Sequence, residues 1–197
     1  MKEKKKGSAR LRSPQWRFSL MLAVIAGIII CFNSIISLRV PDIIVDARMG
    51  TATTAGTVLS LMQLTGIVAG VGFASLTHVF KKNLLMIMCF GFGLALALIG
   101  LSSQLWSLVI GTLLAGFTYS TGVTSIFYHL SEKIPTNLLN LATSLVLIGC
   151  NLGSALSSFF IQLVTPLAPS NHLLFVWIGA LMVGTGVFAS QLLARTK

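Results

Sequence analysis

Residues 84–101 read LLMIMCFGFGLALALIGL, a run in which nothing is more polar than Cys89. At about 1.5 Å per helical residue such a run nearly covers the roughly 30 Å hydrocarbon core of a bilayer. Five further apolar stretches of spanning length flank it: Phe18–Leu38 and Thr53–Thr77 before it, and Leu105–Leu130, Leu141–Thr165 and Leu173–Ala194 after it. Lipid offers no partner to an unpaired backbone group, which leaves helices or closed barrels as the spanning forms. The strict alternation of a barrel strand is absent here. The sequence therefore predicts an all-α membrane protein with six transmembrane helices. A basic segment (1–17) precedes the six-helix domain (18–194), and a short tail (195–197) follows it.

Composition agrees. Of 197 residues, 55% are hydrophobic and 9% are charged, with mean hydropathy +0.91; soluble domains carry roughly 25% charged residues. The net charge of +10 is concentrated rather than spread. Lys2, Lys4, Lys5, Lys6, Arg10, Arg12 and Arg17 hold half of the fourteen basic residues. No basic stripe interleaved with aromatics follows, so nucleic acid is not the expected partner. A polybasic segment beside a first span instead suits the anionic surface of a bilayer. Placing the N-terminus inside puts Lys81, Lys82, Lys133, Arg195 and Lys197 on the same side, with Arg39 and Arg48 outside beside Asp42 and Asp46. The positive-inside rule thus predicts a multi-pass protein of the cell membrane with both termini cytoplasmic. The first apolar stretch is long for a signal peptide and lacks an A-x-A-like cleavage site, so it is expected to remain as a span.

Polarity divides the spans. The third and sixth are nearly bare and read as lipid-facing. The others bear amides, hydroxyls and tyrosines: Asn33 and Ser37; Thr57, Ser60 and Gln63; Thr118, Tyr119, Thr121, Ser125 and Tyr128; Ser144, Asn151, Ser154, Ser158 and Gln162. Polar groups in hydrocarbon are expensive unless they face other helices or a water-filled cavity. Ser and Thr can also bond carbonyls of their own helix, whereas a primary amide cannot satisfy itself locally. Asn33, Gln63 and Asn151 are therefore expected to line a cavity or to bond between helices. Tyr119 lies nearer mid-membrane, and Tyr128 belongs to the interfacial belt. Small residues four apart, Gly66 with Gly70 and Gly149 with Gly153 and Ser157, predict close helix approach. On the fifth span the small row and the polar row fall on different faces.

Several chemistries are missing. Cys31, Cys89 and Cys150 lie inside apolar runs without a CxxC pair, so they read as inert thiols. The sequence has no HExxH, no GxSG and no Walker loop, and neither enzyme activity nor a cofactor or metal is expected. His78, His129, Glu132 and Lys133 fall at helix ends and His172 in an outer loop, where a lone histidine is ordinarily solvated. No acid or histidine for proton coupling lies deep in a span.

Two stretches resemble the C-terminal half of a major facilitator superfamily (MFS) transporter. GVGFASLTHVFKKNLLMI (70–87) is similar to that family's cytoplasmic Gly-x-x-x-Asp-Arg-x-Gly-Arg-Arg loop. Lys81 and Lys82 stand for the basic pair, while Thr77 replaces the Asp and Phe80 the Gly. YHLSEKIPTNLLNLATSLVLIGCNLGSALSSFF (128–160) resembles the family's tenth-to-eleventh helix region, including the NLG at Asn151–Gly153. The resemblance implies a 3+3 inverted repeat in which the third helix of each repeat is peripheral. It further implies alternating-access transport of a small organic solute bound at the midplane between two six-helix halves. Asn33, Ser37, Gln63, Tyr119, Asn151 and Ser154 are the expected solute-contacting residues. The second half would come from a split or truncated reading frame, a separately encoded chain, or a homodimer. Two alternatives are a six-span substrate-binding subunit of an energy-coupled importer and a non-functional fragment of a transporter. Against the importer subunit, the first span has Ala23 followed by Gly27 where an AxxxA docking pattern is expected.

Overall fold

The computed structural model describes residues 13–166, 168 and 170–195. Most of the basic segment, and the last two residues of the tail, lie outside the described residues. Six helices follow in order: α1 (Ser13–Asp46), α2 (Ala52–Phe80), α3 (Leu84–Gly100), α4 (Leu105–Lys133), α5 (Thr136–Val164) and α6 (Asn171–Arg195). All but α3 are long and apolar enough to cross a membrane. The 17 residues of α3 are extended by a 3-10 turn over Lys81–Asn83. The chain is a multi-pass α-helical membrane protein.

Local chemistry sets the boundaries. Thr51 caps α2 reciprocally with Thr54, each hydroxyl accepting the other's backbone N–H at 3.4 and 3.2 Å, which satisfies two otherwise orphaned donors. Pro135 precedes α5, where its missing N–H costs nothing. Between α2 and α3 the chain turns at Lys81, whose φ of 48° lies in the left-handed region; its N–H bonds the Thr77 carbonyl. The chain makes this turn without a glycine. The first helix is longer than expected and runs through Pro41 to Asp46. Arg39 and Asp42 therefore lie on its last turns, 3.8 Å apart, rather than in a loop.

The helices pair across the chain. α1 packs along α5, α2 along α4, and α3 along both α6 and α4, while α1 also crosses α4. Exchanging helices one to three for four to six maps the α1–α5 pair onto α4–α2 and returns α3–α6 to itself. Each group of three crosses an odd number of times, so the second group is inverted relative to the first.

Glycine allows the closest of these approaches. A Cβ at Gly153 would collide with the Gly27 carbonyl of α1, and one at Gly116 with the Met62 carbonyl of α2. A Cβ at Gly93 would lie 2.9 Å from the Gly179 oxygen, and the reciprocal distance is also 2.9 Å. The predicted small row of α5 is thus its packing face against α1. The α2 row behaves differently: Gly66 lies against Ser120, but Gly70 meets nothing.

Burial corrects one expectation. α3 and α6 do pair on one flank, yet α3 is not exposed all round: Leu84, Leu85, Met88, Cys89, Phe92 and Leu96 are buried between α4 and α6. Bare apolar composition in α3 marks packing as well as lipid contact. The least buried spans are α2 and α5.

Candidate functional site

α5 presents three faces. Ala142, Val146, Gly153, Ser157 and Ile161 are buried. Ile148, Leu152, Leu156 and Phe159 form an exposed apolar face. Between these two faces runs an exposed polar row of Asn140, Ser144, Asn151, Ser154, Ser158 and Gln162. The row meets α1 where the Ser34 and Ser154 hydroxyls lie 3.2 Å apart. On α1, Asn33 and Ser37 lie within one turn of Ser34, and on α5, Asn151 lies one turn from Ser154. Ser37 donates to the Asn33 carbonyl at 3.3 Å. The Asn33 side-chain Oδ1 is buried with no hydrogen-bond partner, an arrangement that costs about 1–3 kcal/mol in a protein interior.

The equivalent pair, α4 with α2, is arranged similarly. Thr57, Ser60 and Gln63 lie on the exposed face of α2. The opposite face docks on α4 through two inter-helix bonds: Thr65 donates to the Leu113 carbonyl at 3.1 Å, and Ser120 donates to the Gly66 carbonyl at 3.0 Å. Tyr119 is half-buried on α4, its ring 6.4 Å from that of Phe92.

Of the six expected residues, four therefore gather along the α1–α5 seam: Asn33, Ser37, Asn151 and Ser154. Gln63 stands on α2, and Tyr119 is partly held in the core. Within this chain they do not enclose a cavity. Gln63, Asn151 and Ser154 are exposed on open helix faces. Most other hydroxyls take the local option. Thr57, Ser60, Thr118, Thr121, Ser125, Ser144 and Thr185 each donate to a carbonyl three or four residues earlier, at 2.7–3.0 Å. They fill backbone lone pairs and leave little to offer a ligand.

One expectation fails at the far end of α4. His129 is not solvated but 4% exposed, with Nδ1 3.4 Å from a Glu132 oxygen and Nε2 buried without a hydrogen-bond partner. Tyr128 donates to the other Glu132 oxygen at 2.9 Å and packs edge-on against Phe73. The Lys133 ammonium lies 5.1 Å over the Phe18 ring. Nothing in the sequence distinguished His129 from the exposed His78. His172 was expected in a loop but begins α6 and bonds the Gly100 carbonyl at the end of α3.

The chemistry available is hydrogen bonding by amides and one phenol. Among the described residues no cluster of His, Cys, Asp or Glu is suited to a metal ion, and all three cysteines are free and buried. Comparison with protein-family models and with curated proteins gives no match.

Proposed function

We propose that this chain is one half of an MFS-type secondary transporter, moving a small organic solute by alternating access against a second six-helix half. The supporting observation is the pair of open polar rows. Repeat-equivalent α2 and α5 each pack one face inward and leave amides, Gln63 and Asn151, on the other. Hydrocarbon does not tolerate such amides. A second half laid over both rows would enclose them, together with Asn33, in one aqueous pathway at mid-depth. In this reading the N-terminal end of α1 and the α2–α3 turn face the cytoplasm, where their basic residues belong.

The test is uptake of a panel of radiolabelled small organic solutes into proteoliposomes containing the assembled protein. For any solute transported, Asn33→Ala and Asn151→Ala each lower uptake about tenfold, the effect of leaving a ligand group unpaired. Leu163→Ala, on the apolar face of α5, leaves it unchanged. Parental uptake by both asparagine variants would remove this site assignment.

A further inference from the structure

An apolar groove of about 530 Å³ opens on the outside of the bundle between α1, α5 and α6. Its walls include Leu20, Val24 and Ile28 of α1, Ile148 and Leu152 of α5, and Leu181 of α6. A second hollow of about 530 Å³ between α1 and α6 continues from it, sharing Val24 and Thr185. The one hydroxyl on these walls, that of Thr185, is turned to the Met182 carbonyl at 2.7 Å, so the surface is apolar. The Gly184 position bordering the second hollow has nothing within 4 Å of where a Cβ would stand.

The groove's length and charge identify its occupant. From Leu20 to Phe32 it follows α1 for about 18 Å at 1.5 Å per residue. That is close to the hydrocarbon depth of one leaflet, about half of 30 Å. It lies in the half of α1 nearest the N-terminus. Arg17, Leu20, Val24, Gly27 and Cys31 are spaced by three or four residues, so they form a single stripe on that helix. Arg17 is exposed one turn beyond the groove's end, next to Trp16, which is 45% exposed. Six further basic residues precede them in the sequence. An apolar slot one leaflet deep, with an exposed guanidinium one turn beyond its end, matches a lipid with a negative headgroup.

We propose that the α1–α5–α6 groove binds an anionic phospholipid, with an acyl chain along Val24 and Ile148 and the headgroup phosphate at Arg17. Lipid tails are as apolar as the leucines they replace, so the walls select chain shape and Arg17 selects charge. This site rests on the membrane-spanning fold alone and is independent of what the protein transports.

Bromine-labelled lipids test it. The three native tryptophans are changed to Phe, and a reporter indole is placed in the groove by Ile148→Trp or, separately, by Leu152→Trp. The full chain is reconstituted in phosphatidylcholine with a small fraction of phosphatidylglycerol or phosphatidylcholine carrying dibrominated acyl chains. Brominated phosphatidylglycerol is expected to quench either reporter at about fivefold lower mole fraction than brominated phosphatidylcholine. Arg17→Gln removes most of that preference, and Arg17→Lys keeps it. A control reporter at Val71→Trp, on the open face of α2, shows no preference. Equal quenching by the two headgroups at both groove reporters, or a preference indifferent to Arg17→Gln or shared by the Val71 control, overturns the site. Quenching that falls as protein density rises overturns it too, by assigning the groove to a second copy of the chain.

Discussion

Under the repeat, the seam between α3 and α4 is equivalent to the seam between α6 and α1, yet the two differ. At the first, α4 turns Gly111 and Ala115 toward α3, and a Cβ on Gly111 would lie 3.0 Å from the Ile99 side chain. At the second, α1 offers Val24, Ile25 and Ile28, and a hollow remains between them and Gly184 of α6. Two sequences with one topology thus close one joint and leave the other open. Branched residues on α1 hold α6 away, whereas small residues on α4 let α3 approach. The choice of residue at a few seam positions, rather than helix order, decides where a membrane bundle keeps room for a lipid.

Several substitutions break or sharpen this contrast, all read as unfolding free energies in detergent or bicelles. The largest effect belongs to Gly153→Leu, which drives a side chain into the α1 backbone at the wall common to groove and bundle. The expected loss exceeds about 3 kcal/mol, at or beyond the usual range for overpacking. Next comes Gly111→Leu at the closed seam, with a loss of about 1–3 kcal/mol from collision with Ile99. The matching test at the open seam is Gly184→Leu, which is expected to fall within about 1 kcal/mol of the parent because the new side chain enters vacant space. A loss there equal to that of Gly111→Leu would mean that the seams are alike. Smallest is the coupling between Ser34→Ala and Ser154→Ala in a double-mutant cycle, about 0.6 kcal/mol, the average for inter-helix hydrogen bonds in a membrane protein. No measurable coupling there would detach the polar row of α5 from α1.

Much of this architecture was legible in the residues. The six spans, the small-residue packing face of α5 and its separation from the polar row follow from hydropathy and from 3.6-residue periodicity. Each needs only one helix to be read at a time. What was not legible depends on pairs of helices. His129 and His78 sit at similar helix ends, and only the packing of the bundle around α4 buries the first. The bareness of α3 predicted lipid contact, but residues that suit lipid also suit a neighbouring helix, and composition cannot separate the two. Pro41 reads as a place to stop, since it denies an N–H to the Ser37 carbonyl, yet α1 continues past it. Of the candidate site, the row on α5 was visible as a stripe. Its junction with Asn33 through Ser34 and Ser154 was not, because nothing local to either helix fixes which serine meets which.

The pairing of α1 with α5, α2 with α4 and α3 with α6 also bears on how the protein is made. Within the first three helices contact is sparse, so on leaving the ribosome α1, α2 and α3 have little to hold them to one another. α2 and α3 acquire a partner only when α4 is inserted, and α1 and α3 find their main partners only with α5 and α6. Non-local contacts of this kind form late and leave early segments open to wrong associations. The first three helices thus have few native contacts to satisfy until their complement is synthesised.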